Sequence, residues 1–267
     1  MAINISSKYL KNNVFFPKNR CMYFILKVGG FIDLLRYFKR ILRFKKDFHI
    51  NCWPEDIVHP SFEQAKDHYA RNRWVFKDEV FLKDFHQDLV DQWPSNDFFS
   101  APRHAIKSYN IGFRWVRTRS SAPEFIDLHP AVAHLFKCLT SDRFAKRVQQ
   151  FAGAQEEMAC CSFLLNTTYP GSQVVPHLDS IANNPNASPY LNIVFFINGS
   201  GGEQSGGLAI IEDNNFEEVI YEPENLFNTC LIYDSIAPFY HGFKPVAFGK
   251  FRWAVASQFC KKSLLSK

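Results

Sequence analysis

The 267-residue sequence predicts a mixed α+β, mainly β chain: an antiparallel sandwich or barrel, with helices from its N-terminal half packed on one face. Two observations carry this. Between residues 60 and 153 several stretches place apolar residues at helical steps; beyond Gly153 they gather in short β-type runs. Eight such runs follow: MACCSFLLNTTY, SQVVPHLD, YLNIVFFIN, GGLAII, EEVIY, TCLIYD, FYHGFKPV and FRWAVASQF. Between them stand YPGS, NNPNASP, NGSGGEQSGG and EDNN, rich in the Gly, Pro, Asn and Ser that turns use.

Taken in order, the stretch up to Pro17 has no period and reads as an irregular arm. FIDLLRYFKRILRFKK follows, with Phe31, Leu34, Leu35, Phe38, Ile41 and Leu42 at steps of three and four. That is an amphipathic helix with a cationic polar face, and Gly29 and Gly30 mark its start. The face either sits in water or lies on an anionic membrane surface. PSFEQAKDHYARNR and FLKDFHQDLVDQW are predicted helices and IGFRWVRTR a strand. HPAVAHLFKCL and SDRFAKRVQQFAG are two further helices, the last stopped by Gly153. The expected organisation is a basic arm and helix over 1–47, then one domain over 48–267. Within that domain 48–153 is mostly helical support and 154–267 the β core.

Composition narrows the class. With 46% apolar and 21% charged residues the chain is globular. Its net charge of +5 is uneven: residues 1–47 alone carry +9, which leaves the remainder mildly acidic. Nucleic-acid binding by the body is therefore not expected. The seven cysteines contain no C-x-x-C, and Cys160 and Cys161 are adjacent. This is neither a disulfide framework nor a zinc ribbon and points to a reducing cytoplasm. The start shows no secretory signal, and no run approaches the roughly 18 apolar residues of a membrane-spanning helix. A cytoplasmic protein is expected, with peripheral membrane contact through residues 31–46 as an option.

The segment VVPHLD holds the first chemical signal. Side chains at i and i+2 of a strand share a face, so His177 and Asp179 can grip one object. A third donor, His241, stands in the late run FYHGFKPV, and Arg252 opens the last run. Two imidazoles and one carboxylate form the facial set of non-haem Fe(II) oxygenases, with open positions left for a co-substrate and O₂. The remaining histidines, in the helical half, read as structural.

From Cys160 to Phe259 the sequence resembles the 2-oxoglutarate and Fe(II)-dependent dioxygenases, in particular their prolyl-4-hydroxylase-like branch. The elements that carry the resemblance are YPGSQVVPHLD, YLNIVFFIN, the Gly206-Gly207-Leu208 step, LIYDS, and H-x3-PV-x2-G-x2-R, in the family's order. It implies a double-stranded β-helix, a squashed jelly-roll barrel of cupin type. It further implies that His177, Asp179 and His241 bind Fe(II) and that Arg252 pairs with the far carboxylate of 2-oxoglutarate. A planar, permanently charged guanidinium suits that task. One residue separates the sequence from the common Gly-x-Arg, which makes Lys250 an alternative anchor. Ala254 stands where some branches place a serine, so Tyr169 and Asn192 are the candidates for a further donor to the co-substrate. Asp179 occupies the position that related halogenases replace by a small residue, which disfavours halogenation.

The implied reaction is hydroxylation of an unactivated C–H, with release of succinate and CO₂. Desaturation or cyclisation would use the same residues, and a non-catalytic cupin-type barrel is the alternative of a different class. The substrate expected is a small molecule, amino-acid-derived or sugar-like. Arg117 and Arg119, with Arg114, would favour an acidic or phosphorylated compound if they face the pocket. The helix at 31–46 raises a lipid-linked or protein substrate instead. The loop SIANNPNASP, directly after Asp179, is expected to overhang the metal.

Overall fold

A computed structural model describes residues 53–99, 109–116, 129–179, 190–234 and 239–266. All lie in one unit, Trp53–Lys267. The expected arm and cationic helix of residues 1–47, Arg117, Arg119, and residues 180–189, expected to overhang the metal, fall outside the described residues.

Each of the eight β-type runs forms a strand. They are β4 (Met158–Thr168), β5 (Gln173–His177), β6 (Leu191–Gly199), β7 (Ala209–Ile211), β8 (Val219–Tyr221), β9 (Thr229–Tyr233), β10 (Tyr240–Phe243) and β11 (Arg252–Lys261). Among the described residues three strands precede them: β1 (Trp74–Asp78), β2 (Tyr109–Asn110) and β3 (Gly112–Val116). They assemble into a sheet of order β1-β9-β6-β11-β4-β3 and a second of order β2-β5-β10-β7-β8. Every pairing is antiparallel. From β4 to β7 consecutive strands alternate between the sheets, and from β8 to β11 they do so again. The chain thus winds twice around one axis. This is the double-stranded β-helix, and it places the ends of β5 and β10 side by side.

Alternation decides what each strand buries. On β6, Ile193, Phe195 and Ile197 face outward, while Val194 and Phe196 face the second sheet. On β11, Val255 and Phe259 point out and Ala254 points in. The outward face is covered by helices α1 (Lys66–Asn72), α2 (Lys83–Asp91), α3 (Pro130–Leu139) and α4 (Asp142–Ala152). Phe62, Phe85, Leu89, Leu135, Phe144, Val148 and Phe151 close that core. A 3-10 segment, Pro60–Ala65, leads into α1. The Ser141 hydroxyl caps the start of α4 by accepting from the Phe144 amide, and Gly153 ends it at φ 66°. These supports match the predicted helices. Strand β1 was not foreseen: WVFKD lies directly after a helical stretch, and its partner β9 is over 150 residues away in sequence.

Candidate metal centre

His177 is the last residue of β5, and His241 is the second residue of β10. They stand directly opposite each other in the register. The following residue, Gly242, permits the close approach of these strands, since a Cβ there would come within 2.5 Å of the Val174 carbonyl oxygen. Asp179 follows β5 by two residues and closes the group. One ligand atom from each of His177, Asp179 and His241 lies within 4.8 Å of the other two. Both Nε2 atoms are 3.8 Å from the same carboxylate oxygen, Asp179 Oδ1.

The hydrogen bonds around this trio divide the work. His177 Nδ1 is 2.9 Å from the Val175 carbonyl oxygen, which can only accept, so Nδ1 carries a hydrogen and Nε2 is the nitrogen turned to Asp179. Asn192 Nδ2 donates to Asp179 Oδ2 at 2.5 Å, opposite the oxygen that the imidazoles approach. His241 is 4% exposed. Burial holds its pKa well below the ordinary imidazole value, against the attraction of Asp179, so the ring is neutral at physiological pH. Two imidazole nitrogens and one carboxylate oxygen within 4.8 Å of one another suit a divalent, borderline metal ion.

The trio forms one end of a cavity of about 210 Å³ between the two sheets. Its walls include Val174, Val194, Leu208 and Phe243, and Arg252 also lines it. Arg252 is 3% exposed. Its guanidinium donates to Asn166 Oδ1 at 2.7 Å and to the Gly206 carbonyl oxygen, and lies 4.5 Å from the centre of the Phe243 ring. Gly206 presents that carbonyl from φ 85°, a conformation costly for other residues. A flattened hydrogen-bonded fork over an aromatic ring is a guanidinium with its orientation fixed.

His177, Asp179, His241, Arg252 and Asn192 therefore meet around one cavity. Asn192 stands at the carboxylate end, six residues along β11's register from Arg252. Tyr169 sits in the turn before β5, exposed, and is not among the lining residues. Lys250 is likewise outside the lining, with Nζ on the carbonyl oxygens of Gly201 and Glu203. Two polar neighbours of Arg252 were not anticipated. Asn166 and Thr168 share the inner face of β4, and Thr168 is the register partner of Arg252. The Thr168 hydroxyl is buried with no hydrogen-bond partner among the described residues. Their signal was present: the strand otherwise reads as core but ends in three consecutive polar residues, Asn166, Thr167 and Thr168.

No protein-family model and no curated protein matches this sequence. Solved structures do match. A prolyl hydroxylase from Trichoplax adhaerens, in complex with a hypoxia inducible factor oxygen degradation domain peptide fragment, aligns with TM-score 0.56 at 14% identity. The match covers 77% of this chain and 94% of that one. A Pseudomonas putida prolyl-4-hydroxylase aligns with TM-score 0.51 at 14% identity, over 75% of this chain and 98% of that one. HygX from Streptomyces hygroscopicus, with nickel, 2-oxoglutarate and hygromycin B bound, aligns with TM-score 0.54 at 9% identity, over 74% and 87%. The fold of this chain is that of the prolyl-4-hydroxylase-like 2-oxoglutarate oxygenases.

Proposed function

We propose that this protein is an Fe(II)- and 2-oxoglutarate-dependent dioxygenase that hydroxylates an unactivated C–H bond of a small molecule. The single observation behind the reading is that two imidazoles, one carboxylate and a buried, oriented guanidinium line the same small cavity. His177, Asp179 and His241 would hold the metal, and Arg252 would face the far carboxylate of the co-substrate. Ferrous ion with 2-oxoglutarate supplies, when bound, the O₂-dependent oxidation that is coupled to release of succinate and CO₂.

The protein's own part is positioning and exclusion. The Val175 carbonyl fixes the tautomer of His177, and Asn192 occupies one oxygen of Asp179 and leaves the other for the metal. Val174, Val194, Leu208 and Phe243 keep water away and select a short diacid that spans from metal to guanidinium. Thr168, the register partner of Arg252, has a buried hydroxyl with no hydrogen-bond partner among the described residues and would be a further donor near that guanidinium.

The substrate is a small molecule, amino-acid-derived or sugar-like. Among fold neighbours, HygX is seen with hygromycin B, and the Trichoplax enzyme with a peptide fragment. A second outcome at the same residues has support from another neighbour, the 2-oxoglutarate-dependent epimerase SnoN, with TM-score 0.54. No helix among the described residues is long and apolar enough to cross a membrane. Contact of residues 31–46 with an anionic surface is a separate proposal, tested by sedimentation of the intact protein with anionic vesicles.

The test is anaerobic addition of Fe(II) and then 2-oxoglutarate to the purified protein. A visible metal-to-ligand charge-transfer band is expected, and succinate release should rise with the right metabolite. A wild-type protein that binds Fe(II) yet gives no band would overturn the reading in favour of a non-catalytic barrel.

A further inference from the structure

The inner face of the larger sheet carries a second polar feature, apart from the guanidinium. One row of its register runs through Trp74 on β1, Tyr233 on β9, Asn192 on β6, Gln258 on β11 and Ser162 on β4, each the direct partner of the next. Alternation sets this row on the cavity side. Val255 and Phe259 belong to the outer core, so Gln258 turns inward. Phe163 and Leu165 belong to the outer core as well, which gives Ser162 the inner face that it shares with Leu164. Tyr233, Asn192 and Gln258 all line the cavity.

Two members of the row touch the metal trio. Asn192 Nδ2 donates to Asp179 Oδ2, and the centre of the Tyr233 ring lies 4.9 Å from that of His241. Arg252 stands on the same face of β11 as Gln258, but about 20 Å of extended strand away. A diacid that spans from the metal towards Arg252 therefore runs away from the row and leaves it to a second molecule.

Donors and acceptors decide what that molecule is. Asn192 is 3% exposed, and with its amide nitrogen on Asp179 its Oδ1 is buried without a hydrogen-bond partner among the described residues. A buried carbonyl oxygen is satisfied only by a donor, so the ligand must bring an O–H or N–H to it. An ionised carboxylate can only accept, and a phosphate ester sets further negative charge beside Asp179. An ammonium donates but lacks a counter-charge: among the described lining residues Asp179 is the only carboxylate, and the metal takes it. What fits is a hydroxyl on Asn192 Oδ1, with a neighbouring hydroxyl on the Gln258 amide, which both donates and accepts.

We propose that Asn192, Gln258 and Ser162 recognise the second substrate, and that this substrate is an uncharged, polyhydroxylated compound. The inference rests on the dioxygenase reading and narrows its small molecule to a neutral polyol. Because the same asparagine holds Asp179, a hydroxyl bound to Oδ1 sets its own carbon, and the C–H on it, beside the metal trio.

The experiment loads the full-length protein with Zn(II) and 2-oxoglutarate, which permits binding without turnover. Saturation-transfer NMR then ranks glucose, sorbitol and myo-inositol against glucuronate, glucose 6-phosphate, glucosamine and N-acetylglycinamide. At least one of the three polyols should bind more tightly than every charged probe and the amide. Gln258→Leu should weaken that polyol about 3- to 10-fold, the range of one neutral hydrogen bond. Gln258→Lys should shift the preference towards glucuronate. Tighter binding of a charged probe or of the amide, binding of none, or a polyol affinity indifferent to Gln258→Leu would each overturn the proposal. The charge-transfer band of the same proteins with Fe(II), taken anaerobically, keeps the two readings apart. Its absence sinks the dioxygenase assignment, whereas its presence with the wrong ranking of probes sinks the polyol site alone. Should a variant fail to fold, the ranking on wild type decides the question by itself.

Discussion

The two faces of the larger sheet are made by the same strands and obey opposite rules. Outward, β6 offers Ile193, Phe195 and Ile197 and β11 offers Val255 and Phe259, all fully buried under the helices. Inward, the same strands offer Asn192, Val194, Arg252, Ala254 and Ala256. The outer face is filled by large apolar groups that leave no space. The inner face sets small residues beside polar ones, and this keeps a cavity open and lines it with an asparagine and a guanidinium. The first face holds the fold together, and the second spends part of that stability on buried polar groups whose partners must all be present.

The most forceful way to break this comparison is one substitution on each face. Phe195→Ala removes a ring packed at 5.2 Å from Phe81, and should cost about 3–5 kcal/mol of unfolding free energy. Fe(II) and 2-oxoglutarate binding by the molecules still folded should be unchanged. Asp179→Ala should do the reverse. The unfolding midpoint in denaturant should stay close to wild type, while the charge-transfer band and succinate formation disappear. If Phe195→Ala weakened metal binding at equal folded fraction, the two faces would not be independent.

How much of this was legible follows the same division. The helices and the eight core strands could be read because periodicity and turn residues are local: Ser141 and Gly153 bracket α4 within a single stretch of sequence. The donor residues could be read as types in order. Their meeting was expected through the family resemblance rather than from periodicity, because the pairing of His177 with His241 is a register across strands more than sixty residues apart. The same holds for Asn192, read from the sequence as a candidate donor to the co-substrate, whose bond to Asp179 no strand pattern announces. A strand pattern tells which face a side chain takes, and says nothing of which end of the barrel it occupies. Strand β1 escaped notice since an edge strand of five residues carries too little alternation to stand out beside a helix.

The cavity's two ends sharpen the comparison at smaller scale. Arg252→Gln removes a charged hydrogen-bond donor, an effect of about 1.5–3 kcal/mol or roughly 10- to 150-fold in the KM for 2-oxoglutarate, with Fe(II) affinity kept. Asn192→Leu at the other end should weaken Fe(II) binding by about 10- to 100-fold and leave the 2-oxoglutarate KM of the iron-saturated protein nearly unchanged. Titrating each ligand separately against both variants checks the assignment. Crossed effects would mean that Asn192 serves the co-substrate after all.

The gentlest probe is acid, applied to a histidine on the helix side. His86, on α2, is buried and donates from Nε2 to the Ile197 carbonyl at 2.7 Å, with the edge of the Phe227 ring against it. Burial lowers its pKa from the ordinary value, and the carbonyl only partly offsets this. The folded state therefore binds its proton less readily than the unfolded chain, so the stabilising contribution is complete above about pH 6.5 and is lost as pH falls through the lower folded-state value. His86→Gln keeps an amide donor for Ile197 without a group that titrates there. As pH falls below about 6.5, metal-free wild type should lose stability faster than His86→Gln, as read from denaturant midpoints. Because His86 lies on the opposite side of the sheet from the cavity, saturating divalent metal should raise both curves and leave the gap between them. A gap that closes with metal would place the acid-sensitive group at the metal centre rather than beneath the helices.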